Sequence, residues 1–144
     1  MTDIITAENL ARKAHKGQYY GGQDYYTGHI LKVTQKLTDV VLCCNDEDSE
    51  IVSTLHDIVE DTDITLSDLA FIHGFDSEIV DAVNAITKRD NETRKEYIQR
   101  CKNNAIAHKV KIADTLANLE ASVASCDAWR VEKYSKQLIE LYKD

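Results

Sequence analysis

The sequence contains no proline and only 5 glycines. Without proline, nothing fixes φ or removes a backbone donor inside a helix, so helical runs can continue uninterrupted. No stretch rich in proline, glycine or serine marks a linker. Positive charge is also scarce: 17 Lys and Arg stand against 25 Asp and Glu, for a net charge of −8. A nucleic-acid backbone is therefore excluded as the expected partner, because phosphate chains are held by basic surfaces. A small phosphorylated ligand stays open if a metal ion supplies the positive charge. No apolar run approaches the ~20 residues needed to span a bilayer, so no membrane partner is expected. The start, Met1 to Ile4, lacks the basic and then apolar pattern of a secretory signal. Cys43, Cys44, Cys101 and Cys126 show no CxxC spacing. Reduced thiols and a cytoplasmic location are the simplest expectation.

What is present is a chain of 144 residues, 43% hydrophobic and 29% charged. That length supports one substantial core, so a single domain over residues 1–144 is expected. Apolar residues recur at helical spacing throughout, and no period-two run reads as a strand. The predicted fold class is all-α, a bundle of about seven to eight helices. Thr6 is placed as the cap of a first helix with Ala7, Leu10, Ala11 and Ala14 on its apolar side. His29 is expected to open a second helix with Ile30, Val33, Leu37, Val40 and Val41 as its core stripe. Residues 45–49 read as an acidic turn whose Ser49 caps the next helix. Thr65 with Asp68, and Thr93 with Glu96, have the spacing of capping boxes. Asp76 is the expected cap of the helix between them. A penultimate helix should run from Asn104 to about Ser125. A last one follows from about Asp127 to Tyr142, packing through Trp129, Val131, Tyr134, Leu138 and Leu141.

The stretch from Glu50 to Thr62 carries the most chemistry. On a helix, Ile51, Val52, Leu55, Ile58 and Val59 fall on one side, and His56, Asp57, Glu60 and Asp61 on the other. The face carries an imidazole and three carboxylates within two turns, and carboxylates crowded this closely repel one another unless solvated or met by a cation. The face is either a solvated acidic helix end or a metal site with an acid/base group beside it. A second informative stretch is Val110 to Leu119, apolar on most sides and so expected deep in the domain. Lys111, Asp114 and Asn118 lie along one line of it. A carboxylate there needs a partner, which is either Lys111 or a metal. Residues 17–28 hold four of the 5 glycines and four of the 7 tyrosines. This segment reads as an ordered loop, its tyrosines serving either as surface packing or as a wall for a flat ring. Lys88 and Arg89 form a basic spot at a helix C-terminus, where cations interact favourably with the dipole.

Taken in order, His29, the pair His56-Asp57, and Asp114 resemble the His…His-Asp…Asp signature of the HD superfamily of metal-dependent phosphohydrolases. The chain is more closely similar to the hydrolase domain of the RelA/SpoT enzymes and the small alarmone hydrolases of MESH1 type. Ala14 to Gln18 looks like that group's first motif. Residues Thr54 to Thr62 are similar to its LLHDxxEDT motif. Phe71 to Phe75, Ile86 to Lys88, and Val110 to Asp114 followed by Asn118-Leu119 match later segments. Tyr134 sits where stand-alone members carry a tyrosine.

The resemblance covers nearly the whole chain. It implies hydrolysis of the 3′-pyrophosphate of (p)ppGpp, giving GDP or GTP. By the same resemblance, His29, His56, Asp57 and Asp114 would hold Mn²⁺ or another divalent metal. Glu60 and Asp61 would handle the attacking water and leaving group. Asn118 would bind the nucleoside, Tyr134 the sugar or a phosphate, and Lys88 or Lys111 phosphate charge.

The chain departs from the family where a pattern like GQxRKxGxPYxxH is usual. Arginine is replaced by Tyr20, the next basic residue by Gly21 and proline by Tyr25. Thr115 stands where an arginine often follows the last aspartate. Tyr19 or Tyr20 could stack on a base in place of the lost cation. The alternatives are an HD phosphohydrolase acting on another nucleotide, such as an adenosine alarmone, a nucleoside monophosphate or a phosphorylated cofactor, and a non-catalytic nucleotide-sensing HD module. A homo-oligomer is left open.

Overall fold

The structure, a computed structural model, describes residues 3–41 and 46–144. Met1, Cys43, Cys44 and Asn45, for which expectations were set above, lie outside the described residues.

Helix α1 spans Ile4–Ala14 and is capped by Asp3, whose carboxylate accepts the Thr6 N–H at 3.0 Å. Thr6 is thus not the cap but a residue of the first turn. A two-strand hairpin follows, β1 (Tyr19–Tyr20) pairing antiparallel with β2 (Gln23–Asp24). The segment expected as a loop has this small sheet because Gly21 and Gly22 occupy its turn at φ 58° and 85°, conformations that favour glycine. The chain then enters a π-helical turn, Tyr26–Ile30, and α2, Leu31–Lys36. His29 therefore lies inside a widened turn rather than at a helix start. A second π-helical turn covers Leu37–Val41. Val40, assigned to the core stripe, is 59% exposed.

Helix α3 (Glu47–Leu55) begins at Asp46, whose carboxylate accepts the Ser49 N–H; Ser49 is not the cap. The helix expected to run on to Thr62 breaks at His56-Asp57 and resumes as α4 (Ile58–Asp61). Side-chain donors explain the break. Ser53 and Thr54 hydroxyls both donate to Glu50 O. Ser53 O, the carbonyl an unbroken helix offers to the Asp57 N–H, lies 2.6 Å from His56 Nδ1. Such side-chain bonds compete with the helical ladder.

Both capping boxes form, opening α5 (Leu66–Phe71) and α7 (Arg94–Lys102). Asp76 stands at the start of α6 (Ser77–Ile86). Helices α8 (Ala105–Ala124) and α9 (Ala128–Tyr142) start at Asn104 and Asp127 as expected. Counting α2 with its π-helical ends, and α3 with α4, the described residues form eight helical rods.

Helix α8 is the axis of the fold, in contact with α9, α2, α3, α6, α7 and the Leu37–Val41 turn. Val33, Leu37, Ile51, Leu55, Ile58, Ile79, Val83 and Val110 meet in the core, each apolar side chain contributing ~1.5–3 kcal/mol by leaving water. A smaller cluster of Ala11, Tyr26 and Ile30 fastens the π-helical turn to α1. In α9, Leu141 is buried, but Trp129 is 70% exposed and does not pack into the core. No described helix is long and apolar enough to cross a membrane.

Candidate metal centre

Three rods bring the predicted ligands together. The π-helical turn supplies His29, the α3–α4 break His56 and Asp57, and α8 Asp114. Ligand atoms of His29, His56 and Asp57 all lie within 4.8 Å of one another. His29 Nε2 is 3.3 Å from Asp57 Oδ2 and 3.1 Å from Asp114 Oδ1. His56 Nε2 is 3.1 Å from Asp57 Oδ2 and 3.6 Å from Asp114 Oδ1. Within the acidic stretch the two readings divide: His56 is buried and Asp57 half-buried, against a solvated face, while Glu60 and Asp61 keep contact with solvent.

The electrostatics follow from this crowding. Burial pushes His29 down, but hydrogen bonds to Asp114 and Asp57 outweigh it and leave the imidazole above its ordinary range. For His56, burial is again opposed, here first by the Asp57 charge, and the net shift is well upward. Burial raises Asp57 and Asp114, yet His56 beside the first and Lys111 beside the second bring both well below the usual carboxylate range. The cluster therefore attracts positive charge.

The donor set fits a divalent metal. His56 Nε2 is buried without a hydrogen-bond partner, close to Asp57 but off the line of a hydrogen bond. With Nδ1–H given to Ser53 O, Nε2 is the nitrogen turned toward the cluster, and in the neutral ring it offers its lone pair there, the arrangement of a metal-binding histidine whose other nitrogen is fixed by a carbonyl.

The remaining predicted residues divide into two groups. Glu60, Lys88, Lys111, Asp114, Asn118 and Tyr134 line one cleft of about 190 Å³. Glu60 is anchored there by the Lys88 N–H at 2.6 Å. Lys111 Nζ sits 2.9 Å from Asp114 Oδ2, so the ion pair forms, and Asp114 Oδ1 still faces the histidines. Asn118 Nδ2 donates to Asp114 Oδ1 at 3.0 Å. Asp61 lies toward the hairpin, with its carbonyl accepting Gln18 Nε2 at 2.7 Å. Burial raises the Glu60 and Asp61 carboxyls above the ordinary range, with the Asp57 charge adding to both.

Of the loop tyrosines, Tyr20 forms a wall. Its ring stacks on His29 at 5.0 Å and 26°, and its hydroxyl donates to Asn118 Oδ1 at 2.7 Å. Tyr19 is 74% exposed and takes no such place. Gly28 makes the wall feasible, because a Cβ there would lie 2.8 Å from Tyr20 O.

Two residues were missed in the sequence. Arg130 reaches the Tyr20 hydroxyl at 3.0 Å and stands over the Tyr134 ring at 5.8 Å. Its position one helical turn before Tyr134 was the available signal. Tyr25 donates to Asp57 Oδ2 at 2.7 Å, a contact that no spacing rule announces. A larger groove of about 520 Å³ between α7 and α9 holds none of the four candidate ligands.

No family model matches the chain. It is 27% identical over 142 residues to a Haemophilus influenzae guanosine-3′,5′-bis(diphosphate) 3′-pyrophosphohydrolase, covering 92% of this chain and 20% of that protein. It is 28% identical over 120 residues to the Drosophila melanogaster enzyme of the same name, MESH1, covering 79% of this chain and 65% of that one. The chain thus spans less than two thirds of either relative. A solved structure from work on a metazoan ortholog of SpoT that hydrolyses ppGpp superposes with a TM-score of 0.76 at 22% identity, over 99% of this chain and 86% of that one. The chain has the all-α HD-type fold, and in sequence it is similar to the ppGpp 3′-pyrophosphohydrolases, MESH1 among them.

Proposed function

We propose that this chain is a metal-dependent phosphohydrolase that removes the 3′-pyrophosphate of a (p)ppGpp-type alarmone, leaving GDP or GTP. The observation that carries it is the convergence of His29, His56, Asp57 and Asp114, with His56 Nε2 buried and unpaired among them. The names of the relatives supply the substrate class.

His29, His56, Asp57 and Asp114 would hold the ion, for which Mn²⁺ suits two imidazoles and two carboxylates. When bound, such an ion supplies Lewis acidity toward water and the phosphoryl group. The chain's own groups do the rest. A water oxygen forms the new bond to phosphorus and the bond from phosphorus to the 3′-oxygen breaks. The water proton needs an acceptor, and the leaving oxygen needs a proton. Glu60 and Asp61 flank the cluster, and their raised affinity for protons suits them to take up and return a proton. Glu60 is held for this by the Lys88 N–H. Tyr20, Asn118 and Tyr134 form the nucleoside wall, and Arg130 and Lys88 offset phosphate charge. Lys111 acts chiefly as counter-ion to Asp114, keeping it ionised. The reading places the enzyme in the cytoplasm, where its nucleotide substrate would be found.

The test is to incubate Mn²⁺-loaded protein with ppGpp and identify the products; GDP with pyrophosphate is expected. One observation favours a second reading, hydrolysis of another nucleotide: the neutral Tyr20 hydroxyl occupies Asn118 Oδ1 where the family carries a cation. Turnover of a different member of a nucleotide panel, with release of orthophosphate, would select it. Absence of stoichiometric metal would select a non-catalytic sensing module.

A further inference from the structure

Tyr25 belongs to the loop in which this chain departs from the HD family's pattern, and none of the roles given above uses it. Its hydroxyl donates to Asp57 Oδ2 at 2.7 Å and lies 3.4 Å from Asp61 Oδ2. Asp57 Oδ2 is the oxygen that faces both histidines, 3.3 Å from His29 and 3.1 Å from His56. The phenol is therefore aimed at the ligand atom of the cluster.

Its placement is fixed from several sides. The Tyr25 N–H donates to Gln18 O at 2.9 Å, closing the loop behind the hairpin. The ring packs against His15 at 5.0 Å, His29 at 5.3 Å and Tyr20 at 6.2 Å. A side chain held on three faces gives its hydroxyl little freedom, so the donor is in position before any ion arrives.

The geometry points to Tyr25 as a positioning residue of the metal centre, acting through Asp57. An ionised carboxylate oxygen has capacity for both an ion and one hydrogen-bond donor. Held by Tyr25, Asp57 keeps Oδ2 turned toward His29 and His56. The same hydroxyl stands between two carboxylates that would otherwise repel. This inference rests on the reading of the cluster as a metal site.

The experiment is equilibrium dialysis of Mn²⁺ against the whole chain, without nucleotide, for the native protein and Tyr25→Phe, with metal-free melting as a second readout. The substitution removes one oxygen and keeps the ring. The expected result is Mn²⁺ affinity weaker by about 10- to 100-fold, with the metal-free Tm within a few degrees of native. Asp61→Asn should leave Mn²⁺ affinity within about threefold of native, showing that the effect passes through Asp57. Unchanged or tighter binding in Tyr25→Phe overturns the inference, as does a fall in Tm with affinity intact. If the native protein binds no stoichiometric Mn²⁺, the metal-centre reading fails instead, so the two failures are distinguishable.

Discussion

His29 Nε2 lies 3.1 Å from Asp114 Oδ1, joining a π-helical turn early in the chain to the central helix α8. On the proposed reading Asp114 serves ion binding through Oδ1 and the ion pair with Lys111 through Oδ2. Asp114→Asn removes a ligand charge and leaves Lys111 buried without its counter-ion. Mn²⁺ affinity should fall by at least about 100-fold, since loss of a mere supporting partner already costs 10- to 100-fold. Metal content after dialysis, measured beside ppGpp turnover, checks this. Native metal content in the variant would remove Asp114 from the ligand set.

Proton competition should set the pH dependence of metal binding. The metal-free cluster holds His29 above, and His56 well above, their ordinary values, because Asp57 and Asp114 outweigh the effect of burial. Below those raised values the imidazoles are protonated, and a proton must leave each before it can bind an ion. Mn²⁺ affinity should therefore weaken as pH falls through those raised values and level off once both rings are neutral. Calorimetric titration in buffers of different ionisation heat should show proton release. Binding independent of pH with no proton release would contradict the arrangement.

Glu60 and Asp61 differ from the ligands in what they should change. Burial raises both carboxyls, and neither belongs to the set of four. Glu60→Gln and Asp61→Asn should each lower turnover by about 10²- to 10⁴-fold while Mn²⁺ still binds. In the native protein, the group proposed as base should cost activity as pH falls through its raised value. An acid limb above the usual carboxylate range, lost in one of the two variants, would assign the base.

Gly28 is expected to be intolerant of a methyl group. A Cβ there would meet Tyr20 O at 2.8 Å and Gln23 Cβ at 3.2 Å. Gly28→Ala must push the hairpin away from the π-helical turn, at about 1–3 kcal/mol in stability. Tyr20 would then lose its stack on His29 and its bond to Asn118. Denaturant unfolding should show the loss, and KM for nucleotide should rise more than Mn²⁺ affinity falls. A variant with native stability and KM would show that the close approach is unimportant.

Much of this protein is written in short-range sequence. Helix starts at Thr65, Thr93, Asn104 and Asp127 were legible because a cap satisfies orphan N–H groups within three residues. Two other starts were placed three residues late. At Thr6 and Ser49 the hydroxyl residue is the third of the helix, and an aspartate before it, Asp3 or Asp46, is the cap. Both residue types cap well, so spacing alone did not choose between them. Trp129 and Val40 were assigned to the core on periodicity, which shows that a face exists but not whether anything covers it.

The sequence by itself determined the all-α class and most helix boundaries, because these depend on local periodicity and capping, and it pointed to the four candidate ligands through the family resemblance of their motifs. The tertiary structure decided how those ligands meet. The break at His56-Asp57 and the widened turn around His29 depend on side-chain bonds and packing that turn both imidazoles toward α8. It also decided that a tyrosine-rich segment closes over the site, with Tyr20 on Asn118 and Tyr25 on Asp57. Those contacts join residues far apart in the chain, and no local rule of spacing fixes where a hairpin folds back.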